Sequence, residues 1–391
     1  MEVYFVELIL AAALGLVSIV IPMLLVRREI SQAYTMLALF LLFTAVAHGL
    51  PILTHLFPSL AQYSLAIVIP SYICQPVCIW FYVKGICSPT PWYLRQNNWL
   101  HFVLPLLSLL YAITITVTPP EHLSMIFYEG EQALSSAAEN IALITFIFMV
   151  AWTIQSSIYI VFIITRLIQY RRELKQLFAS NDQREMGWLF FIILGLPAVW
   201  ILSFSSLMMS FSGAANNALT NTLLICHFLL LWLLSFWGLR QKPGFSDRYL
   251  KKEEVGEIIT SVINASSAKK YMRSGIDESV STKIAEKVDS AMQAKRLYLN
   301  PDLSLKTLAL EIGEKPNYVS QALNQVLQKS FFDYVNDYRI EYSKTLLAQN
   351  NLSVLDIALD SGFNAKSSFY KAFKKNTGTT PKQFTAKEKY A

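Results

Sequence analysis

The chain has 391 residues, of which 54% are hydrophobic and only 15% charged, a balance too apolar for an ordinary soluble protein. Its charge is also unevenly placed. Met1 to Gly238 holds 9 Lys+Arg and 10 Asp+Glu, whereas from Leu239 onward 24 face 17, a basic excess of seven. This predicts two parts, an apolar N-terminal one and a basic C-terminal one. All four cysteines (Cys74, Cys78, Cys87 and Cys226) lie in the apolar part. Their spacing implies neither a disulfide framework nor a metal site. Cys74 and Cys78 share a helix face and read as buried thiols.

A membrane-spanning helix needs about 20 apolar residues. Seven stretches qualify: Tyr4–Val26, Ala33–Leu56, Gln62–Val83, Leu100–Val117, Ile141–Thr165, Leu189–Phe211 and Leu219–Gly238. The first starts Met1-Glu2 rather than with basic residues, and Arg27-Arg28 follow it. That pattern predicts a retained span rather than a cleaved signal peptide. The nine basic residues of this half follow the first, third and fifth spans: Arg27 and Arg28; Lys84 and Arg95; Arg166, Arg171, Arg172, Lys175 and Arg184. The opposite loops carry Glu121, Glu129, Glu131 and Glu139 with no Lys or Arg. The positive-inside rule then predicts an outer N-terminus, a cytoplasmic C-terminus and an odd number of spans.

Polar groups inside spans are costly and often functional. Candidates are Glu7, His48, Gln75, Gln155 and His227, against the plainer reading that they pair with backbone or face the bundle interior. Pro22, Pro51, Pro70, Pro76, Pro105 and Pro197 are expected to kink their helices. No span holds a lysine for a retinal Schiff base, and no His-Glu-x-x-His motif occurs, so catalytic and metal sites are expected to be absent and no cofactor is implied. His48 and His55, seven apart, are too weak a pair to define a metal site. Thr118–Asn140 is the longest outer segment; a solvated loop is its default reading, and a lid or ligand-contact element its functional one. The ligand itself is unknown.

After Gly238, Pro243-Gly244 should stop a helix from continuing out of the membrane. The resulting organisation is 1–238 as a seven-helix transmembrane domain, 239–275 as a juxtamembrane linker and 276–391 as a separate C-terminal domain. The fold class is all-α: a seven-helix bundle plus an all-helical domain with two helix-turn-helix units.

That last expectation rests on a duplication. Leu303-Ser304-Leu305-Lys306-Thr307-Leu308-Ala309-Leu310-Glu311-Ile312-Gly313 recurs 49 positions later as Leu352-Ser353-Val354-Leu355-Asp356-Ile357-Ala358-Leu359-Asp360-Ser361-Gly362. In the first copy Leu305, Leu308 and Ala309 form one buried helix face. Gly313 suits a positive-φ turn, and Pro316 suits the first turn of the next helix. That helix, Pro316–Gln325, should bury Val319, Ala322 and Leu323 and offer Asn317, Tyr318, Gln321 and Asn324. Asn and Gln can make bidentate contacts to adenine.

The second copy repeats the pattern with Ile357, Ala358 and Gly362. Its following helix, Ala365–Asn376, should bury Phe369 and Phe373 and expose Lys366, Ser367, Tyr370, Lys371, Lys374 and Lys375 to DNA. Asn364 is placed as its N-cap and as a DNA contact. Between the copies, Phe331, Phe332, Val335, Tyr338, Tyr342 and Leu346 recur at helical spacing. They predict one helix over Ser330–Gln349, about 30 Å long, that spaces the two units about one duplex turn apart.

Residues Tyr271–Phe384 resemble the C-terminal domain of AraC/XylS-type transcription regulators. The motifs are Phe331-Phe332-Asp333-Tyr334-Val335-Asn336-x-Tyr338-Arg339-Ile340, Gly362-Phe363-Asn364-x-Lys366-Ser367-Ser368-Phe369-Tyr370-x-x-Phe373-Lys374-Lys375 and Thr377-Gly378-Thr379-Thr380-Pro381-x-Gln383-Phe384. The resemblance covers under a third of the chain. It implies a seven-helix domain whose recognition helices are Pro316–Gln325 and Ala365–Asn376. Lys315, where the family often has serine, and Ser343, where alanine is common, depart from the pattern.

Together these features predict a membrane-embedded one-component transcription regulator and not an enzyme. The expected partners are double-stranded promoter DNA, the lipid bilayer and a signal of unknown chemistry. A second copy of the chain and RNA polymerase are compatible further partners. Two alternatives stay open at this stage: a transporter or membrane enzyme with a regulatory DNA-binding tail, and a regulator released by proteolysis near Leu239–Gly275.

Overall fold

The structure, a computed structural model, describes residues 2–57, 59, 63–89, 91–119, 122–123, 136–180, 188–189, 195, 198, 217–241, 277–349 and 352–388. Among them the chain is helical, with no strand and one isolated antiparallel bridge, Phe178 to Ser304. Most of the sixth apolar stretch, most of Thr118–Asn140 and the linker with Pro243-Gly244 lie outside the described residues. The chain divides into two compact units, Met1–Leu167 with Met186–Ser246, and Ile168–Glu185 with Asp247–Ala391.

The first unit contains α1 (Glu2–Val26), α2 (Ala33–Leu56), α3 (Ser64–Ile86), α4 (Val103–Val117), most of α5 (Ser136–Leu177) and α6 (Asn217–Arg240). Among the described residues, six helices are long and apolar enough to cross a membrane. α2 packs against α1 and α3, α3 against α4, and α1 against α6. Small residues set the close crossings. A methyl group on Gly85 would lie 2.5 Å from Cβ of Ala33, and one on Gly238 would collide with Cδ2 of Leu37.

The outward faces are as apolar as the inward ones. Leu106, Leu109, Leu110 and Ile113 of α4, and Phe146, Met149, Val150 and Ile154 of α5, are all exposed. In water such continuous apolar faces would be a liability, whereas lipid accommodates them. The 42-residue α5 runs well past the apolar stretch Ile141–Thr165. At 1.5 Å per residue it is about 63 Å long, and its last turns, from Ile168, belong to the second unit.

The second unit is built on α7 (Glu278–Lys295), α8 (Leu305–Glu311), α9 (Pro316–Gln325), α10 (Phe331–Gln349), α11 (Val354–Asp360), α12 (Lys366–Thr377) and α13 (Pro381–Glu388). α7 and α8 both pack on α9. They bury Val288, Met292, Leu305, Leu308, Ala309, Val319, Ala322 and Leu323. A second core joins Ile340, Leu346 and Leu347 of α10 to Ile357 and Ala358 of α11, Phe363, and Phe369 and Phe373 of α12, with Phe384 packed against it. α10 also packs against α9.

Candidate nucleic-acid interface

Each copy of the duplicated sequence folds by the same local rules. Ser304 caps α8: its Oγ accepts from Thr307 N at 3.2 Å, and Thr307 Oγ1 accepts from Ser304 N at 2.9 Å. Ser353 caps α11 by accepting from Asp356 N at 3.2 Å. Such caps satisfy amides that a helix start leaves unpaired.

The helix ends match as well. Gly313 has φ +69° and Gly362 φ +85°. The residue after each glycine donates back to the alanine five positions earlier: Glu314 N to Ala309 O at 2.9 Å, and Phe363 N to Ala358 O at 3.0 Å. This six-to-one bond with a left-handed glycine redirects the chain into the second helix. The two turns differ in one respect. The space around Gly313 is open, whereas a methyl group on Gly362 would lie 2.5 Å from the carbonyl oxygen of Tyr298.

α9 starts at Pro316 with Lys315 as its N-cap, and no side chain caps it. Asn317 and Tyr318 are half-buried. The Asn317 Oδ1 accepts from Tyr318 N at 3.1 Å, and Lys315 Nζ lies 5.8 Å over the Tyr318 ring. Asn324 is half-buried, and its amide nitrogen donates to Ser320 O at 2.8 Å. Gln321 is only 6% exposed, and its amide nitrogen has no hydrogen-bond partner among the described residues. The polar face expected from helical spacing is therefore partly enclosed.

α12 begins one residue later than expected, at Lys366. Its N-cap is Ala365, without a side-chain cap bond. Asn364 does not cap the helix; its amide donates to Ser180 Oγ at 3.0 Å. Lys366, Ser367, Lys371 and Lys374 are exposed and Tyr370 is half-buried, with Lys366 Nζ 5.6 Å over the Tyr370 ring. Ser367, Lys371 and Lys374 follow the spacing i, i+4, i+7 and so share one helix face.

Lys375 is exposed but pairs with Asp333 of α10 at 2.6 Å, and Asn376 donates to Asp337 at 3.0 Å. These bonds hold the end of α12 to α10. Burial pushes the Asp333 carboxyl up, but hydrogen bonds from Lys375 and Ser330, with the Lys375 and Lys175 charges, more than offset it and leave its pKa below the usual value.

Arg339, in the middle of α10, carries no functional signal in the sequence pattern and is 0% exposed. Its Nε donates to Tyr298 O at 2.7 Å, and its terminal nitrogens donate to Asn300 O at 2.8 Å and Ala179 O at 3.1 Å. Its guanidinium lies 5.5 Å from the centre of the Phe363 ring. The planar fork of arginine suits several carbonyls at once.

In the first unit, two of the histidines in the apolar stretches come together. The His48 and His227 rings are 4.7 Å apart, and each Nδ1 lies 2.9 Å from the carbonyl four residues earlier, Thr44 or Leu223. Sequence spacing related His48 only to His55, too weakly to define a site, and a pair on two different helices leaves no local pattern. Both line a small apolar cavity with Leu14, Thr44, Gly49 and Phe228. The Gln75 amide nitrogen and Gln155 amide oxygen are buried without hydrogen-bond partners among the described residues. The four cysteines are free thiols. Among the described residues, no group of three or more His, Cys, Asp or Glu could hold a metal ion.

Residues 308–387 match the Helix-turn-helix domain family, and the C-terminal region is a helix-turn-helix domain of AraC type. Over 99 residues the chain is 33% identical to an uncharacterized HTH-type transcriptional regulator of Staphylococcus aureus (strain COL), covering 25% of this chain and 13% of that one. The same identity and coverage hold for the regulator of strain N315. Over 82 residues it is 33% identical to the melibiose operon regulatory protein of Escherichia coli (strain K12), 21% of this chain and 27% of that one. The chain thus spans about an eighth of the length of the staphylococcal relatives. No solved structure matches significantly.

Proposed function

We propose that the chain is a membrane-embedded transcription regulator. Its apolar unit sits in the bilayer and receives a signal, and its C-terminal unit binds promoter DNA in the cytoplasm through α9 and α12. The observation that carries this reading is the pair of capped helices with matching glycine turns, 49 residues apart, in a basic region. Each turn presents a second helix of the kind that enters a major groove.

Asn317 and Tyr318 of α9, with Lys366, Ser367, Tyr370, Lys371 and Lys374 of α12, are the DNA-facing set in this reading, and Asn324 joins them once its amide is released from its present partners. Gln321, Lys375 and Asn364 would contribute only after leaving their present environments. The exposed apolar faces of α4 and α5 support placement in lipid, and the basic residues after alternate spans support a cytoplasmic C-terminal unit. Dimerisation on paired sites and contact with RNA polymerase fit the same scheme. The reading requires no catalytic group.

Crosslinking the full chain to chromosomal DNA in cells, followed by sequencing, tests it. Discrete promoter loci should be recovered, and Lys366→Ala/Lys371→Ala/Lys374→Ala should lose them while remaining in the membrane fraction. Recovery no better than from an untagged control, or full recovery by the triple variant, would sink the proposal.

A further inference from the structure

The end of α5 and the residues after it pack as part of the DNA-binding unit, although sequence patterning assigns them to a loop between spans. Leu174, Leu177, Phe178 and Ala179 are buried. Phe178 bridges antiparallel to Ser304, and Ala179 N donates to Leu303 O at 3.1 Å. The short segment thereby pairs, backbone to backbone, with the cap of the first helix-turn-helix unit. The Ala179 carbonyl in turn accepts from buried Arg339 at 3.1 Å.

The two polar side chains flanking this pairing reach the proposed reading elements, one in each unit. Gln176 Oε1 accepts from Asn324 of α9 at 3.4 Å, and Ser180 Oγ accepts from Asn364 at the head of α12 at 3.0 Å. An asparagine amide held by such partners is not free to reach a base edge or a phosphate. Lys175 also lies 5.9 Å over the Phe332 ring, at the start of the helix between the units. The segment touches both helix-turn-helix units and α10.

We propose that Lys175–Ser180 is an intramolecular strap whose docking surface on the DNA-binding unit overlaps the surface used for a duplex, so that strap and DNA compete. This rests on α9 and α12 being the DNA-reading helices. The strap continues α5 directly, and the rest of that helix belongs to the apolar unit. A displacement of α5 therefore pulls on the strap itself, without acting through the chain between Gln241 and Asp277. Only a ligand with different affinity for the docked and released states shifts such an equilibrium.

The test uses the full-length chain in lipid nanodiscs and a random-sequence library of duplexes about four helical turns long. Selection is run in parallel on the wild type, on Phe178→Asp, which expels the buried anchor, and on Gln176→Ala/Ser180→Ala, which removes the side-chain contacts to Asn324 and Asn364 and keeps Phe178 in place. The duplex enriched by any of the three is then titrated against all of them. Phe178→Asp should bind at least about ten-fold tighter than wild type, equivalent to about 1.4 kcal/mol, and the milder double variant should bind several-fold tighter. A duplex captured by Phe178→Asp and not by the wild type supports the strap equally.

If the wild type binds a duplex and the double variant binds it equally or more weakly, the strap proposal fails and the DNA-binding reading stands. If none of the three enriches a duplex, both fail.

Discussion

Replacing Gly362 by alanine should separate what a turn requires of its backbone from what it requires of its surroundings. At φ +85° an added side chain costs on the order of 1–2 kcal/mol. The new methyl would also lie 2.5 Å from Tyr298 O and 3.0 Å from two backbone atoms of Leu299. These are main-chain atoms and cannot rotate away. Restoring ordinary contact requires moving that stretch of backbone by roughly 1 Å, and such overpacking costs about 1–3 kcal/mol. The same carbonyl accepts from Arg339, so the shift also weakens a buried bond. A total of about 3 kcal/mol follows. Gly313→Ala, at φ +69° with open space around it, should carry only the backbone cost, about 1 kcal/mol. Amide exchange in the full chain, read by mass spectrometry on peptides spanning Phe331–Glu388 and Leu305–Gln325, measures both. Protection should fall by roughly a hundredfold for the first variant and about five-fold for the second. Equal losses in the two variants would refute the steric part of the argument.

Asp333 and Arg339 supply two more predictions. The Asp333 pKa is lowered in the folded protein, so its contribution is present above the unfolded carboxylate pKa and is lost as pH falls through the folded value. Lys375→Met should therefore lower protection of α12 amides at neutral pH and make no difference in acid, where Asp333 is protonated; a pH-independent deficit would contradict the pairing. Arg339→Met should leave the Tyr298 and Asn300 carbonyls without their buried donor and destabilise the second unit by about 3 kcal/mol or more. Arg339→Lys should recover only part of this, because one ammonium cannot serve three separated carbonyls. Full rescue by lysine in a denaturant titration would show that charge alone matters there.

What the sequence made legible was what local chemistry decides. Gly313 and Gly362 read as left-handed turns because the constraint acts within five residues. Val319, Ala322 and Leu323, and Phe369 and Phe373, were legible as core because helical spacing puts them on one face. Gln321 was assigned to the open face by the same geometry. Its burial depends on what else packs on α9, and a single helix carries no trace of that. Asn364 suited a cap by residue type, but the chain enters α12 through Ala365 and the amide turns to Ser180 instead. The strap was hidden by composition: Arg171, Arg172 and Lys175 looked like a positive flank on a span. Tyr170, Leu174, Leu177 and Phe178, which are buried, are interleaved with them along the chain. The His48–His227 contact spans 179 positions, a separation over which residue pattern says nothing.

The buried guanidinium of Arg339 has a consequence for how the DNA-binding unit comes apart. It grips carbonyls of the segment before the first turn, sits against the Phe363 ring that follows the second, and holds Ala179 as well. The duplicated halves therefore have no independent seam. Opening either one strands a cation in the other, so the tandem units are bound to melt together as a single cooperative block rather than as two beads on a helix.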